Sequence, residues 1–254
     1  MDASLNVVLH DIHYPKINRP AFNAVMDFLG KNKVDSITLG GDQLDFEEIA
    51  HHNKGKGLYK LPGSYTKNIR GFDEEVLTPI ESVTKSAKKT YHIGNHERFE
   101  FDFIEEHPEL VGTVDHVETL GLKERGWNVI PLGHCSKLGK LTVIHGETLS
   151  GIGNQAGMYP SRKAVELYGT SVLAGHTHAP QSFTRIAPVE KIQKHMGWIA
   201  PCLCTVNPTY LRNRPTAWLS GFTIVEVRSN GDFNLYPIII NNGKFTFAGE
   251  TYGK

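Results

Sequence analysis

The sequence predicts an α/β fold. Three observations lead there. Short apolar runs of strand length recur, among them Val7-Val8-Leu9, Ser36-Ile37-Thr38-Leu39 and Ser171-Val172-Leu173-Ala174. Between them lie segments whose apolar residues fall on one helical face. Beyond about residue 180 the helical spacing stops and alternating strand patterns take over.

The opening strand covers about 5–10. A helix follows, with Asn18 as cap, Pro20 in the first turn, and Phe22, Val25, Met26 and Leu29 on one face; Gly30 is read as its end. Ser36–Leu39 is the next strand, so the two strands should be parallel neighbours of a β-α-β unit. Residues 46–72 read as an irregular insertion carrying Lys54, Lys56, Lys60, Lys67 and Arg70. A segment of that length is either a solvated insertion or a loop that contacts substrate. Asp73 is read as the cap of a helix burying Val76, Leu77, Ile80, Val83 and Ala87, with a kink or restart at Pro79. Strands at 90–93, 127–132, 141–145 and 171–174 alternate with helices at about 98–107 and 161–169. The rest is β, at 182–186, 196–199, 218–227 and 233–240, with Ser229-Asn230-Gly231-Asp232 as a hairpin turn. No repeat or composition break divides the chain, so residues 1–254 read as a single domain.

Composition narrows the function classes. Apolar residues make up 39% of 254, enough for a packed core. Lys+Arg and Asp+Glu both number 27, which argues against a broad electrostatic footprint for nucleic acid but leaves room for a local patch. Three cysteines, Cys135, Cys202 and Cys204, exclude a disulfide framework and fit a reducing cytosol. The C-x-C pair is either two small buried residues or a metal pair without a second thiol pair. No run approaches the roughly 18 apolar residues of a membrane span, and no signal peptide precedes the first strand, so a cytoplasmic location without membrane contact is expected.

The 13 histidines are placed with purpose. Five apolar strands each end in metal-competent residues: Asp11 and His13, Asp42, Asn95-His96, His145, and His176 with His178. Ligands of open α/β sheets bind beyond the carboxyl ends of strands. Side chains two apart on an extended segment share a face, which accounts for D-x-H and H-x-H. Gly41, Gly94, Gly146 and Gly175 flank four of these points. Each motif alone is weak; five in order, each after a strand, make a common site the better explanation.

Asp11-Ile12-His13, Gly41-Asp42-Gln43-Leu44-Asp45, Gly94-Asn95-His96-Glu97, His145-Gly146 and Gly175-His176-Thr177-His178 together resemble the calcineurin-like metallophosphoesterase superfamily. The resemblance runs from residue 5 to about 180. It implies a four-layer α/β/β/α sandwich of two mixed sheets flanked by helices, with the final β-rich part in the second sheet. It also implies two metal ions, one on Asp11, His13, Asp42 and His178, the other on Asp42, Asn95, His145 and His176, with Asp42 shared. A mixed nitrogen and oxygen set suits two divalent transition-metal ions, with Mn expected and Fe, Zn, Ni or Co as alternatives. Water held between such ions is deprotonated near neutral pH and attacks phosphorus in line. By the same resemblance His96 is the acid for the leaving oxygen, and Asp45 orients it and raises its pKa.

Other residues carry plainer readings. Glu97 is read as a first-turn carboxylate facing the helix dipole, Arg98 as a solvated helix residue or a phosphate ligand, and His10 as a buried histidine. One of His51 and His52 is a candidate substrate contact. The Ser/Thr protein phosphatase branch carries Arg-Gly after G-D-x-x-D, where this chain has Phe46-Glu47. A bidentate phosphate clamp is therefore missing there. The expected activity is a phosphodiesterase acting on nucleotides or nucleic acid, with Arg212, Arg214 and the 54–70 cations as candidate phosphate contacts. The alternatives are a phosphomonoesterase, protein phosphatase included, or a metal-binding scaffold without catalysis.

Overall fold

The first strand, β1 (Ser4–Leu9), sends its side chains alternately into two interiors. Val7 and Leu9 enter one buried cluster and Val8 another, as a period of two on a doubly covered strand requires. The computed structural model describes residues 3–57, 64–149, 159–187, 193–207 and 215–254.

After β1 come α1 (Arg19–Lys31), β2 (Ser36–Leu39), α2 (Ser64–Phe72), α3 (Thr78–Val83), β3 (Lys88–His92), α4 (Phe99–Glu106), α5 (His116–Thr119) and β4 (Trp127–Ile130). Then follow β5 (Ser136–Leu138), β6 (Leu141–Ile144), α6 (Pro160–Tyr168), β7 (Val172–Ala174), β8 (Gln181–Ala187) and β9 (Gln193–Ile199). The chain closes with β10 (Gly221–Val227), β11 (Phe233–Ile239), β12 (Phe245–Phe247) and β13 (Glu250–Tyr252). One sheet runs β11-β10-β1-β2-β3-β4 and the other β5-β6-β7-β9-β8. Both are mixed: β1 to β4 are parallel neighbours, while β10 joins β1 antiparallel.

Three buried clusters define four layers. One joins the first sheet to α1 and the α2–α3 segment through Val25, Phe28, Ile69, Val76, Ile37 and Phe222. A second lies between the sheets, with Val8 and Val225 meeting Leu141, Val143, Leu173 and Trp198. A third packs Ala164 of α6 on Ile144, Val172, Ala174 and Ile199. This is the α/β/β/α arrangement implied by the resemblance.

Four features differ from the sequence reading. Both β10 and β11 extend the first sheet rather than the second, because β1, buried on both faces, leaves an edge that only another strand can satisfy. Helix α1 runs through Gly30 to Lys31, with Asn32 as C-cap; glycine weakens a helix but does not end it. Within 46–72, residues 51–53 form a 3₁₀ turn and 64–72 are helical, so that helix starts before Asp73; residues 58–63 lie outside those described. A π turn at Asp73–Leu77 leads into α3 just before Pro79, where a restart was expected. The hairpin β12–β13 went unread. It lays Phe245 and Tyr252 on Phe28, at ring separations of 6.0 and 5.0 Å.

Candidate metal centre

The loops after β1 and β2 stay in register past the strand ends. The backbone N–H of Asp11 donates to Gly41 O at 3.1 Å, that of His13 to Asp42 O at 2.9 Å, and that of Tyr14 to Gln43 O at 2.9 Å. Asp11, His13 and Asp42 are thereby fixed side by side. The exits are sharp: Asp11 (φ 56°), His13 (48°), Asp42 (52°), His176 (68°) and His178 (59°) are all left-handed. Each such non-glycine conformation costs of order 1–3 kcal/mol and persists only where the surroundings over-determine it, as at functional sites. Close packing adds two constraints. A Cβ on Gly94 would stand 2.2 Å from Asp42 Oδ1, and one on Gly41 (φ 101°) 2.5 Å from His145 Nδ1.

All seven residues named from the sequence converge here. Asp42 Oδ1 accepts the His96 backbone N–H at 2.9 Å, while Oδ2 lies 3.2 Å from His145 Nε2 and 3.7 Å from His13 Nε2. On one side, Asp11 Oδ1 lies 3.4 Å from His178 Nε2 and 4.0 Å from His13 Nε2, and those two imidazole nitrogens face each other at 3.3 Å. On the other, Asn95 Oδ1 lies 3.0 Å from His145 Nε2, with the His176 ring 5.3 Å from that of His145. Donors sharing one ion at about 2.1 Å stand at most about 4.2 Å apart. The Asp11–His13–His178 contacts of 3.3, 3.4 and 4.0 Å meet that spacing. In the Asp42–His145–His176 group the ligand atoms lie within 4.8 Å of one another, and the nitrogen and oxygen donors of both groups fit a divalent transition metal.

The charges agree. Burial alone would lift the Asp11 and Asp42 carboxyls, but the imidazoles beside them, His178 for Asp11 and His145 for Asp42, hold both well below the usual carboxylate range. Burial pushes His145 the other way, yet Asp42 raises it to about 10. Two buried carboxylates kept ionised make a pocket that attracts cations.

Asp45 sits differently from the expectation. Its carboxylate Oδ1 lies 2.9 Å from His13 Nδ1 and Oδ2 lies 2.8 Å from Lys16 Nζ. The nearest Asp45 atom to His96 Nδ1 is the backbone oxygen, at 2.8 Å, with carboxylate Oδ1 at 3.4 Å. Asp45 therefore orients His13 directly and holds the His96 ring chiefly through its carbonyl. Burial disfavours a charged His96, but Asp42 and Asp45 raise its pKa above the ordinary value.

Glu97 also departs from its reading. It is fully buried, and its two carboxylate oxygens accept the backbone N–H groups of Asp42, Gln43, Leu44 and Gly94. It clamps the Asp42 loop to the Asn95 loop; helix α4 begins two residues later. Only its place beside Asn95 hinted at this.

The metal-competent cluster floors a cleft of about 190 Å³, whose walls include Lys16, Glu47, Cys204, Thr205 and Trp218. Of these five only Cys204 was weighed from sequence, as half of a candidate C-x-C metal pair. Lys16 pairs with Asp45 and with Glu47 at 2.7 Å. Phe46 is buried and stacks on Tyr65, so no side chain reaches into the cleft from that position. Arg98 is exposed and bonds Asp102, as a solvated helix residue does. His51 pairs with Glu106, and His52 packs on Phe99, which touches the His96 ring at 5.0 Å. Lys54 bonds Glu106 at 3.1 Å. His10 is wholly buried between the sheets, its Nε2 3.3 Å from Ile144 O, and burial lowers its pKa to about 4. Lys60, Arg212 and Arg214 lie outside the described residues. Among the described residues no helix is long and apolar enough to cross a membrane.

No protein-family profile matches the chain. It is 26% identical over 257 residues to the gene 54 protein of Mycobacterium phage D29, covering 97% of each. Among solved structures it is similar to Vacuolar Protein Sorting 29 of Cryptosporidium parvum, at TM-score 0.48 and 11% identity over all of both chains. A Streptococcus pneumoniae protein described as a predicted phosphoesterase gives TM-score 0.39 and 14% identity, over 100% of this chain and 99% of that one.

Proposed function

We propose that this chain is a dinuclear-metal-dependent phosphohydrolase of the calcineurin-like metallophosphoesterase superfamily, a single domain acting on phosphodiesters of nucleotides or nucleic acid. The observation that carries the reading is Asp42 Oδ2, set 3.2 Å from His145 on one side and 3.7 Å from His13 on the other. A carboxylate so shared offsets the repulsion of two cations. Asp11, His13, Asp42 and His178 would hold one ion, and Asp42, Asn95, His145 and His176 the other. When bound, such ions acidify water and neutralise charge on phosphoryl oxygens.

The chain's own groups do the rest. His96 stands at the cleft, its backbone tied to Asp42 and its Nδ1 to Asp45 O, so Nε2 is left to protonate a leaving oxygen. The Asp42 and Asp45 carboxylates raise its pKa, which favours the protonated form an acid needs. Phe46 in place of a clamping arginine supports a diester, which carries one charge fewer than a monoester. Lys16 is the cation among the described residues that line the cleft, and Asp45 and Glu47 offset its charge. Three unpaired thiols suit a reducing cytoplasm.

A Mn²⁺-supplemented panel tests this, comparing a p-nitrophenyl monoester, bis-p-nitrophenyl phosphate, cyclic nucleotides and single-stranded DNA. Faster turnover of one of the diesters is expected. Strong preference for the monoester overturns the substrate class. No hydrolysis with metals confirmed bound favours a scaffold.

A further inference from the structure

Cys202 and Cys204 flank Leu203 on an extended stretch. Leu203 is buried in the main core, and its N–H donates to His10 O and Asp11 O. Alternation along the stretch puts both thiols on one face, and that face meets His178. Cys204 Sγ lies 3.7 Å from His178 Nδ1, and His178, Cys202 and Cys204 each offer a ligand atom within 4.8 Å of the others. Both cysteines are buried and free. The other ring nitrogen of His178, Nε2, faces Asp11 and His13.

We infer that Cys202, Cys204 and His178 Nδ1 form a second, thiolate-type metal site for one soft divalent cation of the zinc or cadmium class. Zinc takes sulfur at about 2.3 Å and nitrogen at about 2.0–2.1 Å, so adjacent tetrahedral donors stand about 3.6 Å apart. The 3.7 Å separation matches this. Two sulfurs select a softer ion than the mixed nitrogen and oxygen set on the far side of the same imidazole. Three protein donors leave a fourth position, and Cys204 and His178 both line the cleft, which gives an entry path. Binding displaces the thiol protons to solvent, including the one that Cys202 Sγ can offer Leu219 O at 3.6 Å, and takes the His178 tautomer that carries its proton on Nε2. The site therefore shares the His178 ring with the proposed hydrolytic set, and a metal on each nitrogen at once requires that last proton to leave as well; metal-stripped protein reads the thiolate site by itself.

The test uses the full chain, reduced with a phosphine, stripped of metal and titrated with Cd²⁺. An ultraviolet sulfur-to-cadmium charge-transfer band should grow to one equivalent. Nitrogen and oxygen ligands give no such band, so cadmium in the carboxylate–imidazole cluster is silent. The band should persist in Cys135→Ser and vanish in the Cys202→Ser/Cys204→Ser double variant. Because both positions are buried and the double variant can unfold, the rate of wild-type alkylation supplies a second reading. Cadmium should slow the alkylation of Cys202 and Cys204 by iodoacetamide relative to the metal-free protein and leave that of exposed Cys135 unchanged. A wild type with bound cadmium but no band, a band surviving in the double variant, or Cys202 and Cys204 alkylated at the same rate with and without bound cadmium would each overturn the site.

Discussion

Glu97 Oε2 accepts the backbone N–H of Asp42 at 3.1 Å from a fully buried position. The same carboxylate takes the N–H groups of Gln43 at 2.6 Å, Leu44 at 3.0 Å and Gly94 at 2.8 Å. Four donors that the two loops would otherwise leave unpaired in the interior converge on one side chain. Glu97→Gln keeps the shape but offers one carbonyl oxygen, and turns an N–H₂ toward N–H groups. Leaving buried donors unsatisfied costs about 1–3 kcal/mol. The variant should unfold at lower denaturant concentration and retain less metal at Asp42 after dialysis. Equal midpoints and equal metal content would remove Glu97 as the clamp.

That clamp marks the limit of what the sequence makes legible. The ends of β1, β2, β6 and β7 could be read because these are short apolar runs, and a buried strand must end in a polar turn. D-x-H and H-x-H could be read because a period of two puts both residues on one face. Glu97 could not, since its partners are backbone groups without sequence identity. The Asp45–His13 contact was missed for a related reason: spacing brings Asp45 to the site but does not say which imidazole it meets. Placing β10 and β11 in the first sheet needed the pairing of residues more than 200 apart, which local pattern does not encode. Trp218 and Thr205 reach the cleft through the same long-range return.

His96→Ala should leave metal content unchanged and lower turnover by about 10²–10⁴ on esters with poor leaving groups. A p-nitrophenolate departs without a proton, so the loss on bis-p-nitrophenyl phosphate should be smaller. Comparing p-nitrophenyl with phenyl esters checks this. A uniform loss across leaving groups would point to positioning rather than proton donation.

Asp45→Asn withdraws a negative charge 3.4 Å from His96 Nδ1 while keeping the backbone carbonyl that holds the ring. The His96 pKa should fall. An acid must be protonated to act, so the alkaline limb of the kcat profile should move to lower pH. His13 loses its 2.9 Å partner as well, so metal affinity should drop by about 10–100-fold. A variant with an unmoved alkaline limb at saturating metal would rule out the electrostatic role.

Gly94→Ala forces a methyl to within 2.2 Å of Asp42 Oδ1 and 2.4 Å of Asp42 N. The neighbour is partly backbone, so it cannot yield cheaply. Metal content at saturation should fall, with far-ultraviolet dichroism little changed. Gly30→Ala serves as the control, since nothing lies within 4 Å of its added Cβ and it sits inside α1. That change should stabilise the fold by about 0.4–1 kcal/mol and leave metal binding alone.

Glu100 and His116 form a buried pair, with carboxylate Oε2 2.5 Å from His116 Nδ1. Burial opposes charge on His116, yet Glu100 raises its pKa above the ordinary value. A histidine whose folded pKa exceeds its unfolded value of about 6.5 contributes stability that is full below that pH. The contribution fades as pH rises through the folded value. Glu100→Gln keeps an oxygen for the Tyr65 hydroxyl but removes the charge. Urea midpoints of wild type and variant should therefore differ most below about pH 6.5 and converge as pH rises through the raised folded-state value of His116. The site imidazoles titrate equally in both proteins and cancel in the difference. A gap that stays constant across this range would mean that the pair is held by a neutral hydrogen bond.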